Sequence, residues 1–269
     1  MSAGIIGGIG KMPETSKTLM QYINDSKKIV FFGGAGVSTA SGIPDFRSAN
    51  GLYNTKDVNF SAHEPEYYLS HTCLEKEPEV FFEFFKQKLD TRKFKPNPVH
   101  YALAKLEEMG KLSAVITQNI DNLHQEAGSK KVIELHGSTK RCYCDKCKTK
   151  YSDDVLFEKL ESDEKIPRCK CGGIIRPDVT LYDEMLPEDA TNEAVSQIRQ
   201  ADLMIIGGTS LTVYPAASYI SYFWGEHIVY INKEIVKSSM ATQLSYNHGD
   251  LFVKGDLCEV FEKIMDKLS

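Results

Sequence analysis

The segment from residue 29 to residue 48 constrains the fold more than any other part of the chain. Residues 29–32 form a short apolar run, which is typical of a strand buried on both faces. Three glycines follow closely: Gly33, Gly34 and Gly36. Glycine lets the backbone turn tightly and approach a ligand closely. If residues 37–41 open a helix, its free N–H groups form an anion site, so the segment predicts a pyrophosphate-binding loop.

The loop matches the dinucleotide fingerprint G-x-G-x-x-G only in part, since Thr39 occupies the third glycine position. A glycine-rich turn that binds nothing is equally consistent with this spacing. The residues that follow favour a ligand site, because Asp45, Phe46 and Arg47 add a carboxylate, an aromatic face and a guanidinium. A plain phosphate loop does not need these groups.

Further short apolar runs alternate with helical patterns. The predicted strands are 29–32, 114–117, 132–135, 203–206, 228–231 and 251–253, and the predicted helices are 13–26, 77–89, 97–109, 187–200 and 257–268. Such alternation predicts an α/β fold, a Rossmann-like, doubly wound, mostly parallel sheet. The phenylalanines of helix 77–89 are expected in the core. His100, near the start of helix 97–109, is expected at the surface.

Length and composition exclude several classes of protein. A chain of 269 residues with 42% hydrophobic residues suits one large domain, or one domain with a smaller insertion. The net charge of -5 argues against a general affinity for nucleic acid. We expect no membrane segment, since no apolar run approaches about 18 residues. Residues 1–10 lack the basic region of a signal peptide, and the seven cysteines then predict a reducing compartment, the cytoplasm.

Polar side chains follow the second and third predicted strands. Gln118, Asn119 and Asp121 come directly after strand 114–117, and His136 follows residue 135. In open α/β sheets ligands bind outside the carboxyl ends of strands, so these side chains are candidate site residues. Imidazole is suited to proton transfer near neutral pH, which makes His136 the candidate base. Asp121 or Asn122 could instead cap a helix.

The second half repeats this arrangement. Strand 203–206 ends in a second glycine turn, which carries Gly208, Thr209 and Ser210. Asn232 follows strand 228–231. Asp256 either lies near a bound ligand or caps the last helix, and the sequence favours neither role.

The cysteines form a second motif. Cys144 and Cys147 are separated from Cys169 and Cys171 by 21 residues, a pattern typical of a tetrahedral Zn²⁺ site. Four thiolates leave no open coordination position, so the zinc is expected to be structural. Cys142 competes with Cys144 for one position, and the x-x spacing favours Cys144.

Several blocks together resemble a known family. Residues 34–38 read G-A-G-V-S, residues 42–47 read G-I-P-D-F-R, residues 117–121 read T-Q-N-I-D, and residues 136–137 read H-G. In this order, with a cysteine module after the histidine, they resemble the sirtuins, the NAD-dependent protein-lysine deacylases. The resemblance covers nearly all of the chain after residue 15.

The resemblance implies a function. The chain would be an NAD-dependent protein-lysine deacetylase that transfers the acetyl group to ADP-ribose and releases nicotinamide and O-acetyl-ADP-ribose. His136 would be the general base, with Asn119 and Asp121 ordering the ribose and nicotinamide. The NAD-binding residues that it implies are Gly34, Ala35, Gly36, Ser38, Thr39, Asp45, Phe46, Arg47, Gln118, Asn119, Ile120, Asp121, His136, Gly208, Thr209, Ser210, Asn232, Asp256 and Leu257.

The resemblance also bears on the substrate. Segment 176–184 would return the chain to the main sheet and pair as a strand with an acetylated-lysine protein or peptide. Sirtuins that prefer acidic acyl groups carry a Tyr-x-x-Arg pair where this chain has Phe85 and Lys88. This difference favours acetyl-lysine over succinyl-lysine.

The predicted organisation has two parts. Segments 12–50, 96–137 and 176–269 would form the Rossmann-like NAD-binding domain. The helical insertion 51–95 and the zinc-ribbon insertion 138–175 would form the smaller domain, with residues 51–55 as a lid or a plain surface connection. A monomer without nucleic-acid or membrane partners is expected. Two alternatives remain at this point, a mono-ADP-ribosyltransferase on the same fold and a non-catalytic NAD or zinc-ribbon binding module.

Overall fold

The computed structural model describes residues 18–45, 51, 60–162, 164–233 and 251–268. Its strands are β1 (Ile29–Gly33), β2 (Leu112–Thr117), β3 (Val132–Glu134), β4 (Gly137–Cys144), β5 (Lys150–Ser152), β6 (Ile175–Val179), β7 (Leu203–Gly207), β8 (His227–Asn232) and β9 (Leu251–Lys254). Its α-helices are α1 (Leu19–Asp25), α2 (His71–Lys76), α3 (Pro78–Lys88), α4 (Pro98–Glu108), α5 (Leu123–Glu126), α6 (Asp153–Glu161), α7 (Glu188–Gln200) and α8 (Leu257–Leu268).

Six strands form a parallel sheet in the order β3-β2-β1-β7-β8-β9. β1 lies in the middle, with Gly33 opposite Thr117 of β2 on one side and opposite Gly207 of β7 on the other. The carboxyl ends of these strands therefore meet at one edge. The predicted parallel α/β fold is confirmed.

Alternate residues of β1 face the two layers of the main core. Ile29 and Phe31 pack with α1, α4 and α8, whereas Val30 and Phe32 pack with α7 and the segment 216–223. All four are fully buried. This two-sided burial is why the strand reads as a continuous apolar run.

A smaller antiparallel sheet has the order β5-β4-β6. It shares a third core with α3 and α6, in which the rings of Phe85 and Phe157 stack with centroids 5.9 Å apart. The phenylalanines of α3 are buried there, as predicted. The core thus joins α3 to the part of the chain that carries Cys144 and Cys169. The division of the chain into two domains stays a prediction.

Three expectations from the sequence are wrong. β6 pairs with β4, so segment 176–184 does not return the chain to the main sheet. Residues 37–41 do not open an α-helix, because the chain makes two short 3₁₀ turns, Ala35–Val37 and Thr39–Ser41. His100 is fully buried because it lies on the core-facing side of α4 with Val99 and Leu103, and its Nδ1 accepts a hydrogen bond from the Asn97 N–H in the capping box.

Within the described part of the chain, the apolar stretches of the helices are too short to cross a bilayer.

Candidate active site and metal centre

A single open cleft of about 1710 Å³ lies along the carboxyl edge of the main sheet. The segments after β1, β2, β3, β7, β8 and β9 line it, together with residues 87–91, 93–94, 179–184 and 186. The cleft is larger than a typical pocket for a drug-sized ligand. It has room for a dinucleotide together with part of a second substrate.

The glycine loop after β1 packs against the glycine turn after β7. The Gly36 N–H donates to the Gly208 carbonyl at 2.8 Å. A Cβ on Gly36 would lie 2.8 Å from the Gly208 Cα, and Gly208 has the left-handed φ of 63°. Glycine is therefore required at Gly36 by contact between two loops, in addition to any contact with a ligand.

Asp121 lies at the centre of a buried polar cluster. Its Oδ2 accepts a hydrogen bond from the Ser38 hydroxyl at 2.6 Å, and its Oδ1 accepts the Leu123 N–H at 2.9 Å. The Asn119 amide donates to the same Ser38 hydroxyl at 3.0 Å. Burial raises the pKa of Asp121, and the Ser38 hydrogen bond opposes that shift. Asp121 thus accepts the first N–H of α5 from the position before the N-cap residue Asn122, and it also lines the cleft.

His136 has a defined tautomer. Its Nδ1 lies 2.8 Å from the Gln118 carbonyl oxygen, which can only accept, so Nδ1 carries the proton. Nε2 is then left with the lone pair. Burial lowers the pKa of His136, although the hydrogen bond to Gln118 opposes the shift. A neutral imidazole with an available Nε2 on the cleft wall can act as a general base.

The residue after the histidine connects the two sheets. Gly137 has a φ of 75°, and a Cβ there would lie 2.0 Å from the Asp178 carbonyl oxygen. The Thr180 N–H donates to the His136 carbonyl at 2.9 Å. The H-G pair is therefore fixed between β3 and the end of β6.

The turn after β7 is held by two neighbouring side chains. The Thr209 carbonyl accepts hydrogen bonds from the Tyr230 hydroxyl at 2.7 Å and from the Asn232 amide at 3.3 Å. The Gln118 amide donates to the Thr209 hydroxyl at 3.2 Å. Ser210 is exposed beside this turn. The predicted polar residues after β2, β7 and β8 thus form one connected wall.

Asp256 fulfils the capping role that the sequence left open. Its Oδ1 accepts the Cys258 N–H at 2.8 Å at the start of α8, and its Oδ2 pairs with Lys233 Nζ at 2.8 Å. These contacts lower the pKa of Asp256, the Lys233 hydrogen bond most of all. Asp256 also lines the cleft beside Leu257.

The structure brings the described members of the candidate set together in one cleft. Phe46 and Arg47 lie outside the described residues, as do residues 52–55 of the possible lid. Sequence reasoning missed the role of Asn97, whose amide donates to the Val37 carbonyl at 2.8 Å and to the Ser41 hydroxyl at 2.9 Å. No local pattern signals a contact that spans about 60 residues.

The four predicted cysteines converge. The sulfur atoms of Cys144, Cys147, Cys169 and Cys171 all lie within 4.8 Å of one another. Four thiolates at 2.3 Å from a zinc ion are about 3.8 Å apart, so the cluster fits a tetrahedral Zn²⁺ site. Cys142 is buried in the small core and is not part of the cluster, as the spacing predicted.

Neighbouring groups favour the thiolate at two of the four cysteines, Cys147 and Cys169. The Tyr151 hydroxyl lies 3.1 Å from Cys169 Sγ, and hydrogen bonds from the Cys171 backbone and from Tyr151 lower the pKa of Cys169. Hydrogen bonds from Thr149 lower the pKa of Cys147 to about 6. At Cys171 the Gly173 backbone opposes the shift, but hydrogen bonds with Cys147 and Cys144 raise the pKa to about 12. A metal site of this kind needs deprotonated cysteines.

Fold and cleft together define a parallel α/β protein with a dinucleotide-type site and an attached cysteine module. A family model described as the Sir2 family matches residues 34–215. Because this match covers most of the chain, the chain belongs to the Sir2 family.

Curated relatives span nearly the same length. A protein of Clostridium perfringens named NAD-dependent protein deacetylase is 49% identical over 258 residues, which cover 95% of this chain and 100% of the relative. A protein of Clostridium acetobutylicum with the same name is 49% identical over 248 residues, covering 92% and 96%.

Solved structures agree with this placement. Sir2 with a deacetylated p53 peptide and 3′-O-acetyl ADP-ribose has a TM-score of 0.81 at 38% identity, covering 92% of this chain and 96% of the other. A Sir2–p53 peptide–NAD⁺ complex has a TM-score of 0.77 at 39% identity, with the same coverage.

Proposed function

We propose that the chain is an NAD-dependent protein-lysine deacetylase, which transfers the acetyl group to ADP-ribose and releases nicotinamide and O-acetyl-ADP-ribose. The observation that carries this proposal is the geometry of His136. Its Nδ1–H is held by the Gln118 carbonyl, so Nε2 stays available for a proton on the wall of the cleft. A module that only binds NAD does not need a base there.

The same cleft supplies the residues that would hold NAD. When bound, NAD supplies a ribose carbon that loses nicotinamide and a ribose hydroxyl that receives the acetyl group. Asp121 and Asn119, linked through Ser38, would order the nicotinamide ribose. The two packed glycine loops would lie along the pyrophosphate, and the wall formed by Thr209 and Asn232 would meet the adenosine half.

The segment 179–182 would receive the acylated lysine. Val179, Thr180, Leu181 and Tyr182 line the cleft directly beside His136. Two of them are apolar and buried, as the methylene stem of lysine requires. Lys88 also lines the cleft. A preference for acidic acyl groups would favour an arginine at this position, because arginine binds carboxylates in a bidentate manner. We therefore propose acetyl-lysine as the preferred group.

We propose a cytoplasmic location, because the described cysteines are free and four of them form a metal-type cluster. The monomeric state remains our proposal from the sequence.

The test is mass spectrometry of an acetyl-lysine peptide incubated with the protein, with and without NAD. Loss of the acetyl group only with NAD, together with formation of O-acetyl-ADP-ribose, is the expected result. ADP-ribose attached to protein, with the acetyl group retained, would instead identify a transferase. NAD binding without either product would identify a binding module.

A further inference from the structure

Basic residues are concentrated around the cysteine cluster. Segments 140–150 and 165–171 together hold eight basic residues and one acidic residue, Asp145. The rest of the chain holds 24 basic and 36 acidic residues. The cysteine module is therefore positive on an otherwise strongly negative protein.

Five of these cations have no acidic partner within the described part of the chain. Lys140, Arg141 and Lys165 form ion pairs with carboxylates. No such pair joins the other five, which are all exposed. We call these five the cationic knuckle: Lys146, Lys148, Lys150, Arg168 and Lys170.

The fold holds the cationic knuckle together. Four of its members directly precede or follow a cysteine of the cluster, and Lys150 is paired with Tyr143 on β4. A zinc ion with four thiolates has a formal charge of -2, and Asp145 adds -1. Five cations exceed these negative charges, so the surface stays positive when the metal is bound.

β6 connects the cationic knuckle to the cleft. The Ile174 N–H, just before β6, donates to Asp145 within the cysteine module, and Val179 at the end of β6 lines the cleft. A strand of five residues spans about 17 Å. An extended peptide that leaves the cleft along this strand would reach the knuckle about five to eight residues from its acetylated lysine, at about 3.3 Å per residue.

We propose that the cationic knuckle is a docking surface for an acidic segment of the protein substrate, five to eight residues from the acetyl-lysine. This inference rests on the proposed deacetylase function. It makes electrostatic complementarity outside the cleft a determinant of substrate choice, since the backbone contacts of a bound strand carry little sequence information.

Charge favours a protein segment over nucleic acid as the occupant. The rest of the chain carries an excess of acidic residues and would repel a long phosphate backbone. A short run of glutamates or aspartates touches the knuckle alone.

The test uses two acetyl-lysine peptides with the same core, at saturating NAD. One carries five glutamates beginning six residues from the lysine, and its control carries five glutamines. Each is made with the segment on either side of the lysine, since the chain direction in the cleft is left open. We expect one glutamate peptide to have a KM about five- to tenfold lower than its control at low salt, and the advantage to vanish at 0.5 M NaCl.

The variant Lys146→Gln/Lys150→Gln/Lys170→Gln removes three charges from the knuckle. It spares Lys148, whose φ is 58°, and Arg168, which donates to the Gly172 carbonyl. The KM advantage should fall to less than twofold, with zinc content and the KM of the control peptide unchanged. The matched control is Lys27→Gln/Lys263→Gln/Lys267→Gln, which makes the same charge change at exposed positions elsewhere and should keep the advantage.

Equal KM values for both peptides in the wild-type protein would overturn the proposal, as would an advantage that survives in the knuckle variant. Binding of a DNA oligonucleotide that depends on the knuckle, without discrimination between the peptides, would also overturn it. Fluorescence anisotropy of labelled glutamate and glutamine peptides without acetyl groups needs no catalysis. It therefore measures peptide binding to the cationic knuckle even if the protein is not a deacetylase.

Discussion

At the scale of single residues, the Gln118 carbonyl determines which nitrogen of His136 can act. The carbonyl fixes the proton on Nδ1, and burial keeps the imidazole neutral. The residue was predictable because it directly follows a predicted strand, and ligands of open α/β sheets bind at the carboxyl ends of the strands. Its tautomer was not predictable, since the partner is a backbone atom 18 residues away.

The lowered pKa of His136 leads to a prediction about pH. A base works in its neutral form, and a pKa below 6.5 keeps that form populated further into acid. We expect the acid limb of kcat/KM for the acetyl peptide to have its midpoint below pH 6.5, and His136→Ala to lower kcat/KM by at least about 100-fold. Measured NAD binding of the variant serves as the control for folding. An acid limb centred above pH 6.5 would contradict the assignment.

The predicted surface position of His100 is wrong. The sequence suggested a surface position, yet His100 lies one helical turn before the buried Leu103, on the same face of α4. That spacing could have revealed its burial. Ser38 and Thr209 could be named from the sequence, but their hydrogen bonds to Asp121 and Gln118 join segments that are far apart in the chain.

At the scale of elements, the six strands of the main sheet were predicted to within one or two residues, and β1, β2 and β7 gave the clearest apolar runs because both of their faces are buried. β4 and β5 of the small sheet were not predicted. The helix expected at 37–41 failed because backbone contacts to Gly208 and the Asn97 amide fix the loop in tight turns. β6 was assigned to the wrong sheet because a short mixed strand does not encode its partner.

The contact between the two glycine loops predicts the effect of Gly36→Ala. The added methyl group would collide with the backbone of Gly208, which no side-chain rotation can relieve. We expect a loss of about 1–3 kcal/mol in the free energy of unfolding, measured by chemical denaturation, and weaker NAD binding. Gly255→Ala is the matched control, because its Cβ would meet only Val260 at 3.6 Å. Equal stability of the two variants would refute the argument.

A partly buried ion pair holds the segment that follows β6, beside His136. Arg176 donates to both carboxylate oxygens of Glu184, at 2.6 and 3.0 Å, and to the Val179 carbonyl. Glu184 also accepts the Leu181 N–H, so the pair fixes the turn between β6 and α7. Although burial opposes the shift, these contacts lower the pKa of Glu184 to about 2.

Glu184→Gln should leave the Arg176 charge buried without its partner. We expect a loss of about 2–3 kcal/mol of unfolding free energy, less than for a fully buried pair because the Glu184 side chain is 22% exposed. Glu79→Gln, which breaks an exposed pair with Lys165, should change little. In the wild-type protein the contribution is present above pH 4.5 and is lost as pH falls toward 2. Equal effects of the two substitutions at neutral pH would contradict this prediction.

At the scale of the whole molecule, one core joins segments that are distant in sequence. Cys144 and Cys169 belong to the same buried cluster as Phe81 and Phe157. The parallel sheet and the metal-type cysteines were predictable from periodicity and spacing. The shared core was not, because apolar side chains do not specify which distant segment they meet.

Zinc removal tests this coupling. Treatment with a strong chelator should lower the Tm by several degrees and reduce deacetylation, because metal binding is coupled to folding and the cysteine segment shares its core with α3. Thermal unfolding followed by circular dichroism, with zinc content measured in parallel, gives the result. An unchanged Tm after verified metal loss would show that the site contributes no stability.

The junction at Gly137 has a consequence for motion. The peptide that follows His136 is where β3 of the main sheet gives way to β4 of the small sheet. The Gly137 backbone packs against Asp178 and the His136 carbonyl accepts the Thr180 N–H, so the two sheets are tied together at this point. A displacement of one sheet against the other has its smallest amplitude where the two are tied, so the imidazole is the part of the cleft that such a displacement moves least.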